Sequence, residues 1–221
     1  MDEIINTNDF LIYKKASGEL ERSPVIIRHN KTAKDISLLD PNTGEILGSV
    51  MYTDINEINN KKMLKFEKLQ SNIDGKGIGT KLILELTKIS KELGANGALT
   101  SEASPLPNPD AKVKKPLTNM LFYYKCGFQA KIPELHNKIK ELLAAGKDIP
   151  LGLNVLKDIE LSKEAATALE QKAIAQQQAF EKQQIQKATE NLQQQINSQN
   201  DAKKIELINK KLIDKLDFHD K

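Results

Sequence analysis

Short apolar runs, several with period-two alternation, fill the first half of the chain. Val25-Ile26-Ile27 reads as a strand, preceded by a weaker candidate at Phe10-Leu11-Ile12-Tyr13. Segments 36–39 and 45–52 flank Asp40-Pro41-Asn42-Thr43-Gly44, where proline and glycine sit as turn chemistry requires, and together they predict a β-hairpin. A further strand is expected at Met63-Leu64-Lys65-Phe66-Glu67-Lys68-Leu69. The period then changes. Leu82, Ile83, Leu86, Ile89 and Leu93 recur at three and four residues, so a helix is expected over 80–93, closed by Gly94. A short strand at 98–103, a Pro- and Lys-rich loop at 104–116 and a helix at 117–126 ending before Gly127 follow. A helix at 133–145 and a last strand at 151–156 complete the alternation.

Beyond that point the pattern loses its punctuation. Residues 154–221 hold 11 Lys against 11 Asp plus Glu, and 11 Gln, with no Gly, Pro or Arg. Such a run predicts helix rather than globular fold. Two segments result: an α/β domain at 1–156 and a helical C-terminal extension at 157–221, as coiled coil or helical hairpin. Ser162 caps an expected helix to about residue 197, Asp201 a second to about 216, and Ser198-Gln199-Asn200 marks a turn between them. Gln occupies many seam positions, so a strong leucine zipper is not supported. The apolar stripe still needs a partner, supplied by self-association, by capture of another protein, or by folding back on itself.

Composition narrows the function classes. The 221 residues carry a formal charge of +3, too little to indicate a nucleic-acid partner. No apolar run is long enough for a membrane span, and the opening MDEIINTNDF predicts no Sec-type signal peptide. A cytoplasmic protein is expected. Cys126 is the one cysteine and the three histidines are scattered, so neither a disulfide framework nor a Cys/His metal site is expected.

The strand, glycine-rich turn and helix around Asp74-Gly75-Lys76-Gly77-Ile78-Gly79 form a recipe for cradling phosphate. The order Gly79-Thr80-Lys81 does not fit a P-loop, and Lys81 stands where a dinucleotide fingerprint needs its third glycine. Leu69-Gln70-Ser71-Asn72-Ile73-Asp74-Gly75-Lys76-Gly77-Ile78-Gly79-Thr80 instead resembles the acetyl-CoA pyrophosphate loop of the GNAT acetyltransferases. Further on, Leu121-Phe122-Tyr123-Tyr124-Lys125-Cys126-Gly127-Phe128, whose Gly127 falls 48 residues after Gly79, resembles the later helix of that family and its Gly-Phe exit. Two departures are visible. Asp74 replaces a usual Arg or Gln, with Lys76 and Lys81 nearby to offset its charge, and Pro116 stands where Asn is common.

The resemblance implies an α/β (α+β) fold: a GNAT-like mixed, mostly antiparallel central sheet flanked by helices, with the long helical C-terminal extension. It implies an acetyl-CoA-dependent N-acetyltransferase that needs no metal. The pantetheine arm would meet the backbone of Leu69 and Ser71, where this strand splays from that at 98–103. The pyrophosphate would meet the N–H groups of Gly75, Lys76, Gly77, Ile78, Gly79 and Thr80. Tyr123, four residues before Gly127, would protonate the departing thiolate, and Glu102 would serve as base, with Glu67 as runner-up. Two helices that usually build the acceptor site find no room between residues 27 and 36. Either Phe10 to Tyr13 is the first strand or the acceptor side is reduced and open, favouring a protein or peptide amine over a small one. A domain that has lost catalysis and acts as an interaction module through its tail is the alternative.

Overall fold

A computed structural model describes residues 3–58, 60–73, 75–101, 118–145 and 159–216. The chain divides into two compact units, Met1–Gln176 and Gln177–Lys221.

In the first unit five antiparallel strands run as a meander: β1 (Glu3–Lys14), β2 (Leu20–Asn30), β3 (Asp35–Leu39), β4 (Ile46–Ile58) and β5 (Lys61–Ser71). The hairpin turn at 40–44 forms as its residues dictate. Asp40 Oδ1 accepts from the N–H groups of Asn42 (2.7 Å) and Thr43 (3.2 Å), and Gly44 takes φ 72°. Helix α1 (Ile78–Glu92) then returns the chain so that β6 (Leu99–Ser101) lies parallel to β5. Helix α2 (Thr118–Lys125), β7 (Gln129–Ala130), α3 (Pro133–Ala144) and β8 (Ile159–Leu161) follow. The sheet order among the described residues is β1-β2-β3-β4-β5-β6-β8-β7, and β5–β6 is its parallel pair.

One face of this sheet carries the core. Val25, Leu38, Val50, Leu64, Phe66, Leu99, Ile159 and Leu161 alternate inward to meet Leu82, Ile83 and Leu86 of α1. Gly48 permits the close approach: a Cβ there would stand 2.5 Å from Ile78 Cγ2 and 2.7 Å from the Gln70 carbonyl. A smaller cluster of Ala130, Leu135 and Ile139 seats α3 on β7.

Two expectations change. Residues 151–156 lie outside the described residues, and the strand that pairs with β6 and β7 is Ile159–Leu161, within the segment expected to be tail. The compact unit accordingly runs to Gln176, not to 156, because Ile159, Leu161, Ala166 and Leu169 fill the core and Gln176 Nε2 donates to the Ile12 carbonyl (2.9 Å). The expected turn at 198–200 is also absent, since α4 runs unbroken over Lys163–Leu216. Ser198 spends its hydroxyl inside the helix, on the carbonyls of Gln194 (3.0 Å) and Gln195 (2.9 Å), and nothing at 198–200 is Gly or Pro. Ser162 does cap the helix, accepting from the Ala165 N–H at 3.2 Å.

In the second unit the helix is sustained by its own surface. Gln177–Glu181, Gln186–Glu190 and Gln193–Asn197 are hydrogen-bonded one turn apart. Described side chains from 184 to 199 are all exposed.

Candidate functional site

The candidate site is built around the described β5–β6 ladder. The parallel register pairs Leu64 with Leu99, Lys65 with Thr100 and Phe66 with Ser101. Ser101, buried, is the last described residue of β6 and donates its hydroxyl to the Phe66 carbonyl at 2.9 Å. Strand β5 continues for five residues past that pair, still bonded to β4 on its other side. It does so through a bulge. Met51 faces Glu67 but Ser49 faces Gln70, so one extra residue is inserted, and Lys68 takes a left-handed φ of 50°. Bulges of this kind bend a strand away from its neighbour.

The chain then enters the glycine turn. Gly75 and Gly77 both adopt φ 74°, where a side chain is strained. Gly77 caps α1 with no side-chain hydrogen bond, and the first turn of α1 carries no acid. Lys81 N–H makes the first intrahelical bond, to the Gly77 carbonyl (3.0 Å), so the N–H groups of Ile78, Gly79 and Thr80 precede the helical ladder. Gly79 has a different reason to be glycine: a Cβ would meet the Phe122 ring of α2 at 2.8 Å. That contact brings the two sequence motifs together.

Tyr123 is nine-tenths buried, its ring tilted against Phe66 (6.1 Å between centroids), Phe122 (5.2 Å) and Phe128 (5.3 Å). It therefore lies against Phe66 of the last described pair of the β5–β6 ladder. Desolvation raises its pKa strongly, holding the phenol protonated through the neutral range. The described residues give its hydroxyl no hydrogen bond. Glu67, next to Phe66, projects to the opposite sheet face and pairs loosely with Lys65 at 3.6 Å. Glu102, Asp74 and Pro116 lie outside the described residues.

Several expected side chains are otherwise engaged. Lys81 does not offset charge at the turn: Asp9 holds its Nζ at 2.7 Å and Glu85 at 3.3 Å in a mostly buried triad. Lys76 Nζ bonds the Tyr13 hydroxyl at 2.7 Å and sits over that ring. Ile78 is buried core, leaving only its backbone for a ligand. The Thr80 side chain lies near the Cys126 thiol and acts to lower its pKa against the larger effect of burial. Leu69 packs partly into the core, and the Ser71 hydroxyl donates to the Ile73 carbonyl at 2.8 Å. Cys126 is buried, its thiol pushed up to about 11 by desolvation, which removes it as a nucleophile.

Sequence reasoning missed the Lys68 bulge, the Ser101–Phe66 hydrogen bond and the Asp9–Lys81–Glu85 triad. Only the Lys81–Glu85 spacing of four was readable in advance. Comparison with protein-family models, with curated proteins and with solved structures gave no match to this chain.

Proposed function

We propose that the chain is a GNAT-type N-acetyltransferase moving an acetyl group directly from acetyl-CoA to an amine. The observation that carries this reading is the parallel pair β5–β6, whose last described pairing lies beside Tyr123 and is followed on β5 by a bulge and a glycine turn without a side-chain cap. That order of parts fits the fold implied by the sequence resemblance. The turn suits a pyrophosphate through its left-handed glycines, the N–H groups of the first turn that precede the helical ladder and the positive end of the α1 dipole. Leu69 and Ser71 lie on β5 beyond its described pairs with β6, where the resemblance puts the pantetheine arm.

The resemblance implies a gap between the two strands beyond their described pairs, and the chemistry proposed here uses it. The amine nitrogen attacks the thioester carbonyl from one face, passing its proton to a carboxylate, Glu102 or Glu67. The carbon–sulfur bond breaks, and the leaving thiolate takes the proton of the Tyr123 hydroxyl on the other face. General acid–base help of this kind is worth about 10²–10⁴-fold. Absence of a nucleophilic cysteine favours direct transfer. The acceptor we favour is a protein or peptide amine. Phe10 to Tyr13 lie in β1, and only a five-residue turn at 15–19 separates β1 from β2, so no acceptor helices stand there. On the uncovered face Met51 stays 43% exposed beside Lys65 and Glu67.

The tight packing of Tyr123 among three phenylalanines favours a second reading, a domain that keeps the architecture without transfer. Labelled acetyl-CoA incubated with lysine-bearing peptides and, separately, with small amines decides between them. Labelled peptide supports the first reading, label on small amines alone shifts the acceptor class, and donor binding without transfer supports the second.

A further inference from the structure

Seven side chains of α4 follow a spacing that is symmetric about Leu192. Glu181, Ile185 and Ala188 stand eleven, seven and four residues before it, and Ile196, Gln199 and Lys203 stand four, seven and eleven after it. At about 100° per residue all seven point within about 40° of the Leu192 direction, so they form one stripe. Every one of them is exposed, the three large ones heavily: Ile185 by 67%, Leu192 by 58% and Ile196 by 49%. Between residues 181 and 203, where every other residue is polar, charged or Ala, three large aliphatic residues on one line need a cover.

We propose that the cover is a second copy of this chain, paired antiparallel with its two-fold axis at Leu192. In that register Leu192 meets the partner's Leu192. Each Ile196 meets the partner's Ala188, large against small, and each Ile185 meets the partner's Gln199. At both ends Glu181 stands opposite the partner's Lys203, giving two ion pairs from one sequence pattern, as a self-complementary interface requires. A parallel pair would set Glu181 on Glu181, Lys203 on Lys203 and Ala188 on Ala188, with like charges facing and a gap where an isoleucine fits. The repeat is eleven residues rather than seven, which keeps the stripe on one side of a nearly straight helix. A search for a heptad zipper therefore does not find it.

The molar mass of the full-length protein, measured by light scattering over a dilution series, tests this pairing. A dimer is expected for the wild type, weakened as salt rises because charge sets its register. Glu181→Lys should shift the chain to monomer, and adding Lys203→Glu to that variant should bring the dimer back. Orientation is read from disulfides: mixed Ile185→Cys and Gln199→Cys chains should cross-link to each other, while neither cross-links alone. A wild type that stays monomeric at the highest concentration reached would overturn the proposal. So would a dimer indifferent to Glu181→Lys, or disulfide dimers of the Ile185→Cys chain by itself.

Discussion

Replacing Tyr123 by Phe removes one oxygen and separates the two roles open to this residue. The ring contacts with Phe66, Phe122 and Phe128 survive the change, so no cavity forms. Among the described residues the hydroxyl has no hydrogen-bond partner to lose. Stability should therefore move by no more than about 1 kcal/mol, or roughly 2–4 °C at this chain length. Truncation to Ala would instead cost about 3–5 kcal/mol through lost packing. If the phenol gives its proton to the thiolate, Tyr123→Phe should slow transfer by about 10²–10⁴-fold, a barrier increase of roughly 3–5 kcal/mol. The assay pairs release of free thiol from acetyl-CoA with thermal unfolding of the same samples. A variant as stable as the wild type and as fast would remove Tyr123 from the mechanism. A variant several kcal/mol less stable would show that the hydroxyl has a structural partner, and the reasoning from packing would fail.

Three further outcomes follow. Gly48→Ala places a methyl group 2.5 Å from Ile78 Cγ2 and 2.7 Å from the Gln70 carbonyl, so it should cost about 1–3 kcal/mol by overpacking; an unchanged melting temperature would contradict the close packing of α1 on β4. His29 is held below its usual pKa, chiefly by burial and then by Lys31, and its Nε2 lies 2.6 Å from the Tyr52 hydroxyl; His136 is lowered likewise, by burial and then by Lys140. A folded pKa below the unfolded value near 6.5 means stability present above that pH and lost as pH falls through it, so urea midpoints should drop between pH 7 and 5, and less in His29→Gln. Cys126, its thiol pushed up to about 11 and buried, should resist alkylation until the chain is denatured; labelling of the native protein at the rate of a free thiol would contradict its burial.

Much of the meander and both motif helices were legible because each rests on local signals. The Asp40–Gly44 turn, the three-four spacing from Leu82 to Leu93 and the glycines at 94 and 127 each announce a boundary through their own chemistry. What was not legible depends on the register of distant segments. Lys68 carries no mark of a left-handed residue, and its bulge exists only in the pairing of β4 with β5. Residues 159–161 are too short to stand out as a strand and become one by filling the gap between β6 and β7. Lys81 read as a free cation near the turn because nothing local places Asp9, 72 positions earlier, against it. The stripe around Leu192 was hidden by its eleven-residue step, which breaks the seven-residue rhythm usually sought.

The central claim is that the glycine turn before α1 holds the pyrophosphate of acetyl-CoA, and a thermal-shift titration tests it most directly. Donor at 100 times its dissociation constant should stabilise the fold by about 2.7 kcal/mol, or several degrees. Gly77→Glu is the matched control. Gly77 sits at φ 74° with its Cβ position 3.6 Å from the Ile12 carbonyl, so the variant starts from a lower midpoint and only the ligand-induced shift is compared. A clear shift in the wild type that vanishes in Gly77→Glu is the predicted result. An equal shift in both proteins would place the donor away from the turn, and no shift in the wild type would contradict the account.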